Sequence, residues 1–182
     1  LIKKKIKQKN MACTLSSGQN PIPCKAVAGV NTIWLVSYNG TSLTYQYQTD
    51  GLTIGTFSGG TSSAVQFLQN PEVASYTAPG EYNTENNAYK RTQTLSFNVY
   101  NITAAVIEKI RALDQGTWRA LILDNNGNYF IMGLKSPALV SASDAGLGKA
   151  GTDLNGAMIT LTSLSDQVLT QISTYAASQF GI

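Results

Sequence analysis

Between Tyr89 and Tyr100 the chain alternates plainly: Tyr89, Leu95, Phe97 and Val99 hold odd positions, interrupted by Gln93, and Thr92, Thr94, Ser96 and Asn98 hold even ones. Successive side chains point to opposite faces of a strand, so this stretch predicts a long β-strand with one buried face. Upstream, Thr32–Tyr38 (TIWLVSY) is a β-branched and aromatic run that ends at Asn39-Gly40, a strong hairpin signal. Leu43–Gln48 is then expected to return as a second strand, and Leu52–Phe57, after the Asp50-Gly51 turn, as a third. Together they predict a short-range antiparallel meander, closed by the flexible Ser58-Gly59-Gly60-Thr61. Ala64–Gln69 and Val73–Thr77 are shorter strand candidates split by Asn70-Pro71, and Ala78–Asn87 reads as a polar loop around Pro79-Gly80.

After the long strand the period changes. Val106, Ile107, Ile110 and Leu113 form an apolar stripe at helical spacing, with Asn101 or Thr103 to cap it and Gly116 to stop it. A helix over about 102–114 follows, with Glu108, Lys109 and Arg111 on its wet side. Thr117–Leu123 and Asn128–Leu134 are strands joined by a tight Asp124-Asn125-Asn126-Gly127 connection. Residues 135–156 are small and glycine-rich and read as a long loop of the kind ordered by a partner. Ala157–Ser163 is a last clear strand. In Asp166–Gln179, Val168, Leu169, Ile172, Tyr175 and Ala176 fit a helical stripe behind a Ser165 cap, although its Thr, Ile and Val also suit a strand.

At 182 residues the chain is long enough for one domain with a real core. Charged residues make up 13%, about half the usual share, while small and neutral polar residues abound. Such surfaces suit dense packing between subunits, whose interface cores are depleted of Lys and Glu. The net charge of +3 comes from one end: five of the 13 basic residues are Lys3, Lys4, Lys5, Lys7 and Lys9, leaving eight basic against ten acidic over residues 11–182. A basic stripe on the folded body, which nucleic-acid binding needs, is therefore not expected. Residues 1–10 read either as a solvated, disordered basic arm or as an untranslated leader in frame, with Met11 as the start and 11–182 as the single folded domain. No signal-peptide pattern follows those lysines, and no apolar run is long enough to span a membrane as a helix.

The chemistry-bearing residues are few. The chain contains no His, which removes the usual general base, and no Gly-x-Ser-x-Gly elbow. A carboxylate pair remains the one conceivable catalytic device, drawn from Asp50, Glu72, Glu81, Glu85, Asp114, Asp124, Asp144 and Asp153. Asp50, Asp114 and Asp124 fall at turns or a helix end, where Asp bonds backbone amides, and Glu81 and Glu85 in a polar loop. Cys13 and Cys24 read as small buried hydrophobes, with a disulfide as the alternative; without His they make no ordinary zinc site. The pattern Gly146-Leu-Gly148-Lys-Ala-Gly151 precedes strand-like sequence where a phosphate-binding loop would open a helix. Tyr45, Tyr47, Tyr76, Tyr82 and Tyr89 suit sheet packing, or a sugar-binding platform. The reading is of a non-catalytic packing domain that takes no cofactor and no metal.

The segment from TLSFNVYNITAAVIEKIRALDQG through WRALILDNNGNYFIMGL to GTDLNGAMITLTS resembles bacteriophage tail tube proteins and related virion subunits, especially those of tailed phages infecting gut Bacteroidetes. The likeness covers about residues 90–165, with a weaker echo around Cys13, Cys24 and Gly29. It implies an antiparallel β-sandwich or barrel flanked by the helix, six copies closing a ring, and rings stacking into a tube. The implied partners are copies of the chain itself, other tail proteins, and genome DNA passing without specific binding, in a virion assembled in the host cytoplasm. Strands of neighbours can join edge to edge, and loops at 58–63, 78–88 and 135–156 can order against the next ring. Another virion component (a tail terminator, head–tail connector or decoration protein) is the alternative within this class; a secreted carbohydrate-binding or adhesin β-sandwich is the alternative outside it.

Overall fold

The computed structural model describes residues 28–38, 43–58, 64–70, 72–148, 154–165 and 167–180, which fold as a mainly β protein. Cys13, Cys24, the 1–10 arm and the Asn39-Gly40 signal lie outside the described residues. The strands are β1 (Val30–Ser37), β2 (Thr44–Tyr47), β3 (Ile54–Ser58), β4 (Val65–Leu68), β5 (Ser75–Thr77), β6 (Gly80–Asn83), β7 (Ala88–Tyr100), β8 (Trp118–Asp124), β9 (Tyr129–Met132), β10 (Leu139–Gly146), β11 (Gly156–Ser165) and β12 (Thr170–Ile172). Helices α1 (Ala104–Gln115) and α2 (Thr174–Ser178) complete the order.

Two sheets face each other. One has seven strands in the order β2-β3-β12-β9-β8-β1-β4; the other runs β10-β11-β7-β5, with β6 also paired to β7. All pairings are antiparallel except β12 with β3. The alternating strands pack their buried faces inward: Leu95, Phe97 and Val99 of β7 and Ile159 and Leu161 of β11 meet Ile33, Leu35, Ala120 and Ile122 of the seven-stranded sheet. Ile110 and Leu113 of α1 close the side of this core, so the fold is a β-sandwich flanked by a helix, as expected.

The seven-stranded sheet is buried on its back as well. Val36, Leu121, Ile131, Ile54 and Ile172 point away from the sandwich into a second core roofed by Ala176, Ala177 and Phe180. Burial on both faces explains why β1 and β8 read as continuous apolar runs instead of alternating. It also corrects the expected meander. β1 pairs with β8 over seven residues and with β4, while β2 sits at the far edge of the sheet and pairs only with β3 among the described strands. A strand apolar on both sides belongs at the sheet's centre, whereas β2 buries none of its four side chains.

Three other expectations change. The polar stretch 78–88 holds β6, which forms a hairpin with the start of β7. The 135–156 loop holds β10, an eight-residue strand along β11. Instead of a long helix behind Ser165, the C-terminal segment carries β12, inserted between β3 and β9, then the single turn of α2 capped by Ser173, whose Oγ accepts from Ala176 N. The α1 helix starts from Thr103, the second of the two expected caps; its Oγ1 accepts from Val106 N at 3.4 Å. Its buried stripe is narrower than predicted, since Ile107 stays exposed. The Leu113 carbonyl at its end accepts both the Gly116 amide and the Trp118 indole N–H.

Candidate assembly surfaces

Every open sheet carries unpaired backbone donors and acceptors along its outer strands. In the seven-stranded sheet those strands are β2 and β4. β4 leaves apolar residues exposed: Phe67 packs against Phe97 in the core, while Val65 on the same face and Leu68 on the other, beside Gln66, are exposed, Leu68 at 68%. In the other sheet β10 is the long edge. Seven of its eight residues are exposed, and it carries neither Lys nor Pro, the residues that usually blunt such an edge. Asp144 is its one charge. The spacing offered no sign of it: Ser141-Ala-Ser-Asp-Ala-Gly146 does not alternate, because an edge strand packing lightly needs no apolar face.

The opposite edge of that sheet projects as an arm. All four residues of β6 are exposed, as are Ala88, Tyr89 and Lys90 opposite them. The arm is held by its own turn chemistry. Asn83 Oδ1 accepts from Glu85 N, Asn86 Oδ1 accepts from Ala88 N, Asn87 takes the left-handed conformation at φ 53°, and the Tyr82 hydroxyl bonds Asn87 Oδ1. Glu81 and Lys90 pair at 2.9 Å across it, a largely exposed ion pair that adds little.

The carboxylates are dispersed by role. Asp50 Oδ1 accepts from the Leu52 and Thr53 amides, and hydrogen bonding from Thr53, then from Leu52, holds its pKa below the ordinary value. Asp114 is exposed near the end of α1, Glu85 is at the arm's turn, and Asp153 lies outside the described residues. Glu72 and Asp124 are brought together, both lining an open cavity of about 530 Å³ with Tyr76, Ile122, Asn126 and Phe130. Glu72 sits there at φ 65°, a left-handed conformation that strains a residue with a Cβ. Asp124 is committed to its turn: Oδ1 accepts from the Asn126 and Asn128 amides and Oδ2 from both side-chain amides. Burial alone would raise its pKa, but these bonds outweigh it and hold the group as a carboxylate. A general acid needs the opposite shift. Of the glycines of 146–151, Gly146 ends the edge strand β10 and Gly148 follows at φ 71°, while 149–153 lie outside the described residues.

The tyrosines do not gather on one face. Tyr45 packs on Phe57 and Tyr47. Tyr76 lies in the main core with its hydroxyl donating to the Ile131 carbonyl, and burial pushes its pKa well above the ordinary value. Tyr82 and Tyr89 oppose each other on the arm. Among the described residues no group of three or more metal-ligating side chains forms, and no helix is long and apolar enough to cross a membrane.

The fold and its surfaces thus define a helix-flanked two-sheet β-sandwich with long unprotected edges. Comparison with protein-family models, curated proteins and solved structures finds no match for the chain.

Proposed function

We propose that the chain is a structural virion protein, a tail tube subunit that assembles with copies of itself into stacked rings forming the DNA-conducting tube of a tailed phage. The observation that carries this reading is the pair of open edges: β4, with Val65 and Leu68 exposed, and β10, with seven of its eight residues exposed, neither holding a lysine or a proline to keep a solitary sheet monomeric and only Asp144 adding a charge. Pairing of edges between copies satisfies those backbone groups, and closure into a ring leaves none exposed. The exposed arm 80–90 adds a second contact, since a two-stranded ribbon is marginal in water without something to pack on. The sequence resemblance supplies the specific identity, and other tail proteins would meet the ends of such a tube. No catalysis is assigned to it.

Negative-stain microscopy and sedimentation of the purified chain test this. Rings and tubes are the expected result. A chain that stays monomeric at high concentration overturns the reading, and one that stops at single rings moves it to a terminator or connector.

A further inference from the structure

The cavity that Glu72 and Asp124 share lies where the described chain begins. Ala28 and Gly29 line it together with Tyr76, Ile122, Phe130 and Leu169. Asn125 holds those first two residues in place: its backbone N–H donates to the Gly29 carbonyl at 3.2 Å and its Nδ2 to the Ala28 carbonyl at 2.8 Å. Gly29 bends the chain there at φ 110°, a conformation open to glycine, and a Cβ on it would stand 2.9 Å from Asn125 Nδ2. Apolar side chains continue beyond the lining, since Val73 and Val168, next in sequence to Glu72 and Leu169, are both exposed. The lining includes two carboxylates and no cation. Asp124 is held by its turn, whereas Glu72 has no ion-pair partner among the described residues.

We infer that this cavity is the docking site of the segment just ahead of it, residues 21–27 of the same chain, with Lys25 paired to Glu72 and the apolar side chains on Tyr76, Phe130 and Leu169. The chemistry matches on both sides. Pro21, Ile22, Pro23, Cys24, Ala26 and Val27 are apolar and Lys25 is the one charge, against an apolar cavity with one uncommitted carboxylate. Reach is assured, because Lys25 lies three residues before Ala28 and is therefore within about 11 Å of it at full extension. A segment tethered this closely is presented to the cavity at a high effective concentration, which favours it over the same segment of another copy. Pro21 and Pro23 restrict the undocked chain and so lower the entropy lost on docking. The pairing also gives a reason for a glutamate at φ 65°, where glycine would be unstrained. This docking belongs to the single subunit and does not rest on the tail tube reading.

Cys24 lies inside the segment and reports on it. In the full chain carrying Cys13→Ser, its alkylation by neutral iodoacetamide is timed on dissociated subunits, in buffer and in urea, over a range of protein concentrations. Docking is expected to slow the reaction about tenfold or more relative to the urea-unfolded chain, as burial of a thiol does. Glu72→Lys and Lys25→Glu should each bring the rate in buffer towards the unfolded one, and the two together should restore protection. Leu169→Lys, at an exposed lining position, should also raise the rate by disturbing the apolar contact, and serves if Glu72→Lys misfolds. Equal rates in buffer and urea overturn the inference. Protection that survives Glu72→Lys and Leu169→Lys unchanged places the segment elsewhere and overturns it as well. Protection that disappears on dilution assigns the cavity to a second copy's segment, which overturns docking within one chain.

Discussion

The side-chain amide of Gln179 pairs with the backbone of Phe57 as a neighbouring strand would, its Oε1 accepting from Phe57 N at 2.7 Å and its Nε2 donating to Phe57 O at 3.0 Å. β12 ends at Ile172 beside Ile54, and Ser173 continues the pairing with its N–H on the Ile54 carbonyl and its hydroxyl on that of Gly55. Gln179 completes the edge of β3 where β12 has run out. Gln69 does the same for β7, donating to Asn98 O and accepting from Asn98 N, both at 3.0 Å. Both amides complete ladders beside strands too short to do so, β12 in one sheet and β5 in the other.

Replacing Gln179 by Glu keeps the shape and one acceptor but removes the donor to Phe57 O. A loss of about 1–3 kcal/mol is expected, the range for a buried polar group left unmade. Equilibrium urea unfolding measures it, and Gln179→Glu should lose stability even though its volume is unchanged.

Arg119 is buried with its guanidinium 4.3 Å above the Tyr38 ring and its Nε donating to the Gly133 carbonyl at 3.3 Å. Burial pulls its pKa down, and Tyr38 works against that pull. The Tyr38 hydroxyl in turn donates to the Lys135 carbonyl. Tyr38→Leu removes both the ring face and the hydroxyl and is expected to cost about 1–2 kcal/mol; Tyr38→Phe, which keeps the ring, costs less. The order of the two unfolding midpoints is the check.

Asp124 makes stability depend on acid. Its folded pKa is lowered, so the unfolded state takes up protons first as pH falls. The stabilisation is complete above the unfolded value of about 4 and is lost as pH drops through the folded one. Asp124→Ala is expected to cost roughly 1–2 kcal/mol at neutral pH, the scale of a lost side-chain cap, discounted towards the lower figure because the site is partly solvated. The difference from the unsubstituted chain should shrink in unfolding curves taken at descending pH. An unchanged gap would place the effect elsewhere.

Much of this fold is legible in the sequence for a physical reason: elements that bury one face must show its period. β7 alternates because one face meets the core and the other meets water, and Gln93, the residue that breaks its odd face, is itself buried and accepts a bond from the Gly133 amide. The α1 stripe and the Asp124–Asn128 connection were equally direct. What escaped was decided by partners distant in sequence. β10 bears no period because it lies at an edge, and the arm strand β6 because both its faces are solvated. The insertion of β12 between β3 and β9 depends on a second core that draws on residues as far apart in sequence as Val36, Ile54, Leu121 and Phe180. Asp50 and Asp124 bond backbone amides in the turns that their sequence places predict, but that Glu72 and Asp124 share a cavity follows from β1, β5 and β8 converging there, which no spacing reveals.

Gly156 opens β11 directly against Tyr100, and a Cβ there would stand 2.3 Å from the Val99 carbonyl oxygen. Backbone atoms in the middle of a paired sheet cannot step aside as a flexible side chain can. Gly156→Ala should therefore destabilise by about 1–3 kcal/mol, as overpacking does, despite adding one methyl group. Gly127→Ala offers a comparison: open space surrounds its Cβ position, and the cost there comes from φ at +83° alone. Thermal unfolding of the two variants separates steric contact from backbone strain.

Charge placed on an edge separates assembly from folding. Leu68 on β4 is largely exposed and Ala142 on β10 is exposed, so a lysine at either position can reach water without disturbing the core. If copies join along these strands, Leu68→Lys and Ala142→Lys bring an ammonium to the join that a neighbour would have to desolvate, a cost of several kcal/mol in a tightly packed contact. The folded monomer should be unaffected, with unfolding midpoints within about 0.5 kcal/mol of the unsubstituted chain, as for ordinary surface changes. Sedimentation velocity should show loss of the larger species for the strand that makes the contact and retention for one that does not. Loss with β4 alone would assign ring closure to the seven-stranded sheet, and loss with β10 alone to the other. Full assembly in both variants would exclude the two edges and leave the 80–90 arm as the contact.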